Sequence, residues 1–239
     1  MSTNRTSWIL GPDWPNGGEI DIIENVHEAT KNHMTLHTNE GCTVDSSTGF
    51  SGNLLTSNCD VEAPGQYKNA GCGIESTDTT SYGAGFNQAS GGVYAAEWTS
   101  DGISVWFFSR SSNIPADITS GSPDPNSWGT PAAHFADSAS CDIDSHFSDM
   151  QIIFDTTFCG DWAGSVWDSS SCSSLGGSCV DYVANNPTAF SEAYWDINSL
   201  RVYQDGAVAK KRDETVKAKA KGFPRISMRG SRNETLVGL

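Results

Sequence analysis

The sequence predicts an all-β protein, and three observations predict it. Short runs of branched and aromatic residues recur at 19–26, 33–38, 93–98, 103–108 and 150–154. The stretches between them are rich in Gly, Ser, Thr and Asn, and Asp101-Gly102 joins two of the runs with a hairpin signal. No long stretch carries the period of an amphipathic helix. Strands punctuated by turns in this way build a sandwich or a barrel, and the residues alone leave both open. The chain has 239 residues, enough for one sizeable domain.

The elements follow in order. Residues 19–26 and 33–38 read as strands. Residues 41–90 have few apolar runs and read as loops held by disulfides. Residues 93–98 and 103–108 form the hairpin, with Trp98 and Trp106 expected in the core or on a sheet face. Pro115, Pro123, Pro125 and Pro131 mark 111–142 as a long loop. Asp142, Asp144 and His146 lie close together there, but too loosely spaced for a metal site, and read as loop. Residues 150–154 form a buried strand. Short helical turns are expected at 181–185 or 188–193, and 197–203 is the last strand, with Trp195 and Tyr203 in the core. No internal repeat is visible.

Charge is split along the chain. Residues 206–239 hold nine of the fourteen Lys and Arg and three acids, a net +6, which leaves −21 on residues 1–205. The sequence thus divides into a domain at 1–205 and a basic tail expected to be disordered. The acidic body argues against nucleic acid, whose binding needs cationic contacts. No apolar run approaches the roughly 20 residues of a membrane span. Seven cysteines show no Cys/His zinc spacing. Cys172 and Cys179 flank a Gly-Gly loop and read as a disulfide-clipped region. Asn4-Arg5-Thr6 and Asn233-Glu234-Thr235 permit glycosylation.

The densest chemistry lies in Gly18-Glu19-Ile20-Asp21-Ile22-Ile23-Glu24. Side chains alternate along a strand, so Glu19 and Asp21 share one face. A regular strand would turn Glu24 away, but a β-bulge at Ile22-Ile23 returns it to the same side. The outer Cα atoms would then lie roughly 13 Å apart, with the carboxyls about 5–6 Å apart. That is near the ~5–5.5 Å of a retaining glycosidase and short of the ~6.5–9.5 Å of an inverting one. An acidic strand or a calcium site would share the bare pattern. Trp14-Pro15-Asn16-Gly17-Gly18 runs straight into the strand, and Trp14 offers a flat face on which a sugar ring can stack.

Residues 14–24 resemble the active-site signature of family-16 glycoside hydrolases, and within it the fungal laminarinase-like endo-1,3(4)-β-glucanases. Met34-Thr35-Leu36-His37-Thr38, Val105-Trp106-Phe107-Phe108-Ser109-Arg110, Phe158-Cys159-Gly160-Asp161-Trp162-Ala163-Gly164, Tyr194-Trp195-Asp196-Ile197 and Arg201-Val202-Tyr203-Gln204 agree in order. The resemblance spans about residues 8–204. It implies a β-jelly-roll sandwich and retaining hydrolysis of a 1,3- or mixed 1,3/1,4-β-glucan, with Glu19 as nucleophile and Glu24 as acid/base. Asp21 between them would raise a neighbour's pKa and help Glu24 keep its proton. The resemblance suggests a sugar platform at Trp162. His37 is a candidate partner of substrate or carboxylate, or a half-buried strand histidine. Arg110 is a candidate for sugar hydroxyls, or equally a structural ion pair.

The expectation is a secreted monomer that needs no cofactor. Transglycosylation, and glycan binding without turnover, are the alternatives. In relatives the Trp-Pro-x-Gly-Gly-Glu segment lies well inside the domain, and Met1–Leu10 has no signal-peptide pattern. N-terminal strands of the sandwich, and an upstream cysteine, are therefore expected to be missing. One departure stands out. Relatives usually carry Asn on the strand before the Phe-Cys-Gly-Asp-Trp loop, where this chain has Asp155, and an ionised Asp cannot donate a hydrogen bond.

Overall fold

A computed structural model describes residues 3–47 and 49–204 together with the short segments 226–227 and 233–237. The expectation of disorder for 206–239 falls mostly outside the described residues, but the segments described there, 226–227 and 233–237, are strands, so 197–203 is not the last. The strands are β1 (Thr3–Leu10), β2 (Glu19–Glu24), β3 (His33–His37), β4 (Asn53–Leu54), β5 (Cys72–Glu75), β6 (Gly92–Thr99), β7 (Gly102–Ser109), β8 (Ala133–Ala136), β9 (Gln151–Phe158), β10 (Arg201–Gln204), β11 (Ile226–Ser227) and β12 (Asn233–Val237). Among the described residues they form two antiparallel sheets. One runs β11-β9-β1-β2-β3-β5-β4 and the other β10-β12-β6-β7-β8. This is the predicted all-β sandwich.

Alternation along each strand decides what is buried. Ile20, Met34, Leu36 and Ile74 of the first sheet meet Tyr94, Ala96, Ile103, Val105 and Phe135 of the second in one core. On the far side of the second sheet, Val93, Ala95 and Trp106 pack with Ile118 and Trp128 from the long loop. That loop is less irregular than its prolines suggest. It carries a helical turn at Ala116–Ser120, and Asp117 accepts a 2.7 Å hydrogen bond from Trp128 Nε1. Trp106 is buried as expected, whereas Trp98, Trp195 and Tyr203 pack only partly buried at the core margins.

Two further expectations need correction. Cys179 pairs with Cys159, not Cys172, while Cys42 pairs with Cys141 and Cys59 with Cys72. Cys172 packs buried beside the Cys159–Cys179 bridge with Trp167. The helix Cys179–Asn185, capped by Ser178, brings Cys179 against the loop after β9, which spacing along the chain cannot show. Asp142 caps a helical turn at Ile143–His146 by accepting from Ser145 N, so these residues are structured rather than loop. Finally, β1 carries no strong strand signal, yet it sits centrally between β9 and β2.

Candidate active site

The outer face of the first sheet carries the acidic strand. Against β3, Asp21 faces Thr35 and Glu24 faces His33, so three steps on β2 match two on β3. That is the extra residue of a β-bulge, and it falls at Ile22-Ile23 as the sequence suggests. Ile22 and Ile23 are both buried. Glu19 and Glu24 consequently line one cleft of about 200 Å³, with Thr6, Trp8, Asp155, Thr157, Cys159, Gly160, Asp161 and Trp162.

Asp21 lies beneath this cleft with 1% of its surface exposed. Neither of its oxygens receives a well-directed donor from the protein. His37 Nε2 stands 3.1 Å from Oδ2, and the Glu19 carboxyl is within hydrogen-bonding reach. Burial, then the charge of Glu24, pushes the Asp21 carboxyl well above the usual aspartate range. Burial, then the charge of Asp21, pushes Glu19 up to about 8. Two buried carboxyls side by side cannot both ionise cheaply, so the pair holds a proton at neutral pH. Full burial favours Asp21 as the protonated member of the pair.

Trp14 stands over the same carboxylate and donates from Nε1 to Glu19 Oε2. It is held there by a closed loop in which Gly11 N donates to Gly18 O at 2.9 Å. Gly18 has φ +73°, and a Cβ at that position would lie 2.4 Å from a Phe147 ring carbon and 2.6 Å from the His146 carbonyl oxygen. Only glycine satisfies both demands. On the opposite lip, Trp162 belongs to a helical turn at Gly160–Ser165 anchored by the Cys159–Cys179 bridge. Its ring stacks on His33 with centroids 6.0 Å apart. His33 is held 3.5 Å from Glu75, and burial lowers its pKa.

Of the sequence-derived candidates, Glu19, Asp21, Glu24, Trp14, His37 and Trp162 thus converge. Arg110 does not: at the end of β7 it lines a separate cavity of about 440 Å³ with Tyr82, Phe86 and Tyr94. Thr6 and Trp8 of β1, His33 of β3 and Thr157 of β9 join the site although the sequence reading singles out none of them. The period-2 alternation of β3 and β9 is the available signal for His33 and Thr157. For β1 none is strong. Glu19, Asp21 and His37 place one ligand atom each within 4.8 Å of one another, the one such grouping among the described residues. Two carboxylates and an imidazole fall short of the six to eight oxygens calcium takes.

Residues 2–203 match the model of the XgeA-like catalytic domain of glycoside hydrolase family 16. A probable glycosidase of Schizosaccharomyces pombe is 55% identical over 199 residues, covering 82% of this chain and 46% of the relative. An endo-1,3(4)-β-glucanase of Arthroderma benhamiae is 45% identical over 206 residues, covering 85% and 45%. The chain spans about half the length of these curated relatives. Laminarinase 16A of Phanerochaete chrysosporium, solved with β-glucans in donor and acceptor sites, superposes with TM-score 0.75 at 47% identity, over 81% of this chain and 65% of that one. An elongating family-16 β-1,3-glucosyltransferase superposes with TM-score 0.73 at 43% identity, over 81% and 64%. The two antiparallel sheets are therefore the jelly roll of these enzymes, and the chain belongs to glycoside hydrolase family 16.

Proposed function

We propose that this chain carries the machinery of a retaining endo-β-glucanase acting on 1,3- or mixed 1,3/1,4-linked β-glucan. One observation carries the reading: Glu19 and Glu24 line a single cleft from either side of a bulge, with Asp21 buried between them. Glu19 attacks the anomeric carbon and forms a glycosyl-enzyme. Glu24 protonates the departing glycosidic oxygen, then takes a proton from the water that releases the sugar. Asp21, beside His37, holds the proton that keeps the buried Glu19–Asp21 pair singly anionic and leaves Glu19 as the carboxylate. Trp14 and Trp162 supply stacking faces on the two lips. Arg110 has no part in this assignment.

Residues 1–205 hold the cleft and its carboxyls in this reading, and β11 and β12 from the basic C-terminal segment pair into the two sheets behind it. Three disulfides suit an oxidising, extracellular setting. A second reading is transglycosylation, favoured by the likeness to a β-1,3-glucosyltransferase. There a sugar hydroxyl replaces water at the same intermediate. The test is release of reducing ends from a soluble β-1,3-glucan, with Glu19→Gln beside the parent. Release by the parent alone is expected. Equal release by both would refute the assignment, and lengthened oligosaccharides from the parent would favour transfer.

A further inference from the structure

We propose that Asp155 is a specificity-determining residue that restricts the sugar site beside the cleavage point to uncharged rings. The inference rests on the glucanase reading and refines it. The register of three strands places Asp155. Ser7 of β1 faces Ile23 of β2, and Thr6 faces Asp155 of β9. Continued by one residue, the antiparallel pairing sets Thr6 opposite Glu24. Glu24, Thr6 and Asp155 therefore form one row across the sheet, with Asp155 two strand spacings, about 9.6 Å, from Glu24. A pyranose ring held by Glu24 at one edge lies over Thr6 and meets Asp155 at the other.

The Asp155 side chain is set for that contact. Thr157 Oγ1 donates to its Oδ2 at 2.7 Å, and Trp195 Nε1 donates to its backbone carbonyl at 2.9 Å. The residue is exposed on the cleft wall, and Oδ1 is left to accept from a sugar hydroxyl. A carboxylate accepts but does not donate, so it suits hydroxyl groups and repels carboxylate, sulfate or phosphate on the ring. The described cleft lining adds Glu19, Glu24 and Asp161, and His33 beneath Trp162 is paired with Glu75. Asp155 differs from the two glutamates in having no part in the bond-breaking steps, so its charge can be removed while those groups remain.

The experiment compares kcat/KM on soluble β-1,3-glucan with that on the same glucan partly oxidised to carboxylates at C6, for the parent, Asp155→Asn and Asp155→Ser. We expect both variants to lower the neutral-to-carboxylated ratio about tenfold, the scale of one interaction with a charged group. The change should appear chiefly in KM, lowered for the oxidised polymer as repulsion is lost and raised for the neutral polymer where the acceptor is lost. Added salt should narrow the ratio for the parent more than for the variants, which keep Glu19, Glu24 and Asp161. Asp161→Asn should shift it less. A ratio unchanged in both Asp155 variants would overturn the proposal while leaving the glucanase reading intact. A parent inactive on both polymers would overturn the glucanase reading itself, and this proposal with it.

Discussion

Replacing Glu19 by Gln should stabilise the protein increasingly as the pH rises from 4.5 to 8, even as it abolishes turnover. The physical cause is the buried carboxyl pair. Burial and the neighbouring Asp21 raise Glu19 from an ordinary 4.5 to about 8 in the folded chain. A group whose folded pKa lies above its unfolded one contributes its full stability below the unfolded value and loses it as pH climbs through the folded value. A shift of about 3.5 units at about 1.36 kcal/mol each sets an upper bound of roughly 5 kcal/mol by pH 8. A proton seated on Asp21 relieves part of this, so about 2–5 kcal/mol is the expected range. Near pH 5 the same linkage gives less than about 1 kcal/mol. Gln keeps an oxygen to accept from Trp14 Nε1 and carries no charge to bury. At about 2–4 °C per kcal/mol for a chain of this size, the variant should melt roughly 5–15 °C above the parent at pH 8. At pH 5 the gap should shrink to a few degrees. Thermal denaturation of both proteins across this window is the assay, and the difference cancels the titrating groups that lie outside the coupled carboxyl cluster. A gap that stays constant from pH 5 to 8, or that reverses, would refute the buried-pair argument.

Asp21→Ala should lower kcat by about 100-fold with little change in KM, because it removes the buried donor to Glu19 that the substrate never touches, while Asp21→Asn, whose amide still donates, should lose less; steady-state kinetics would show this, and a pure KM effect would contradict it. Gly18→Ala should cost at least about 2 kcal/mol in denaturant titration, since φ +73° and the 2.4 Å approach of Phe147 both oppose a Cβ. Trp162→Ala should raise KM for β-glucan roughly tenfold at near-constant stability, through loss of a stacking face. Cys159→Ser should cost about 3 kcal/mol for the loop of sequence separation 20, together with affinity, because Trp162 is carried on that loop.

The acidic row is legible in the sequence because its grammar is local. Alternation places Glu19 and Asp21 on one face, a bulge at Ile22-Ile23 brings Glu24 to it, and the role expected of Glu24 comes from the family resemblance. The hairpin at Asp101-Gly102 is legible for the same reason. β1 is not. Its Thr-Asn-Arg-Thr-Ser start looks like a loop, and it is a strand because it pairs β2 on one side and β9, more than 140 residues away, on the other. Its polarity reflects the cleft that Thr6 lines. Arg110 is misleading because it follows aromatic residues in sequence that in fact pack the second sheet. The value of His33 is hidden because it depends on register, which sets it opposite Glu24 and beside Glu75. Disulfide connectivity is beyond reach too: nearness along the chain favours Cys172 for Cys179, while the docking of two short helices selects Cys159.

The central claim is that Glu19 and Glu24 act as nucleophile and acid/base across one bulge. Proton NMR of the first sugar anomer released from a β-1,3-glucan tests it most directly. Retention, with the β-anomer formed first and lost in Glu19→Gln, is the predicted result. The α-anomer formed first would mean direct attack by water, a wider carboxylate spacing, and a different role for Glu19.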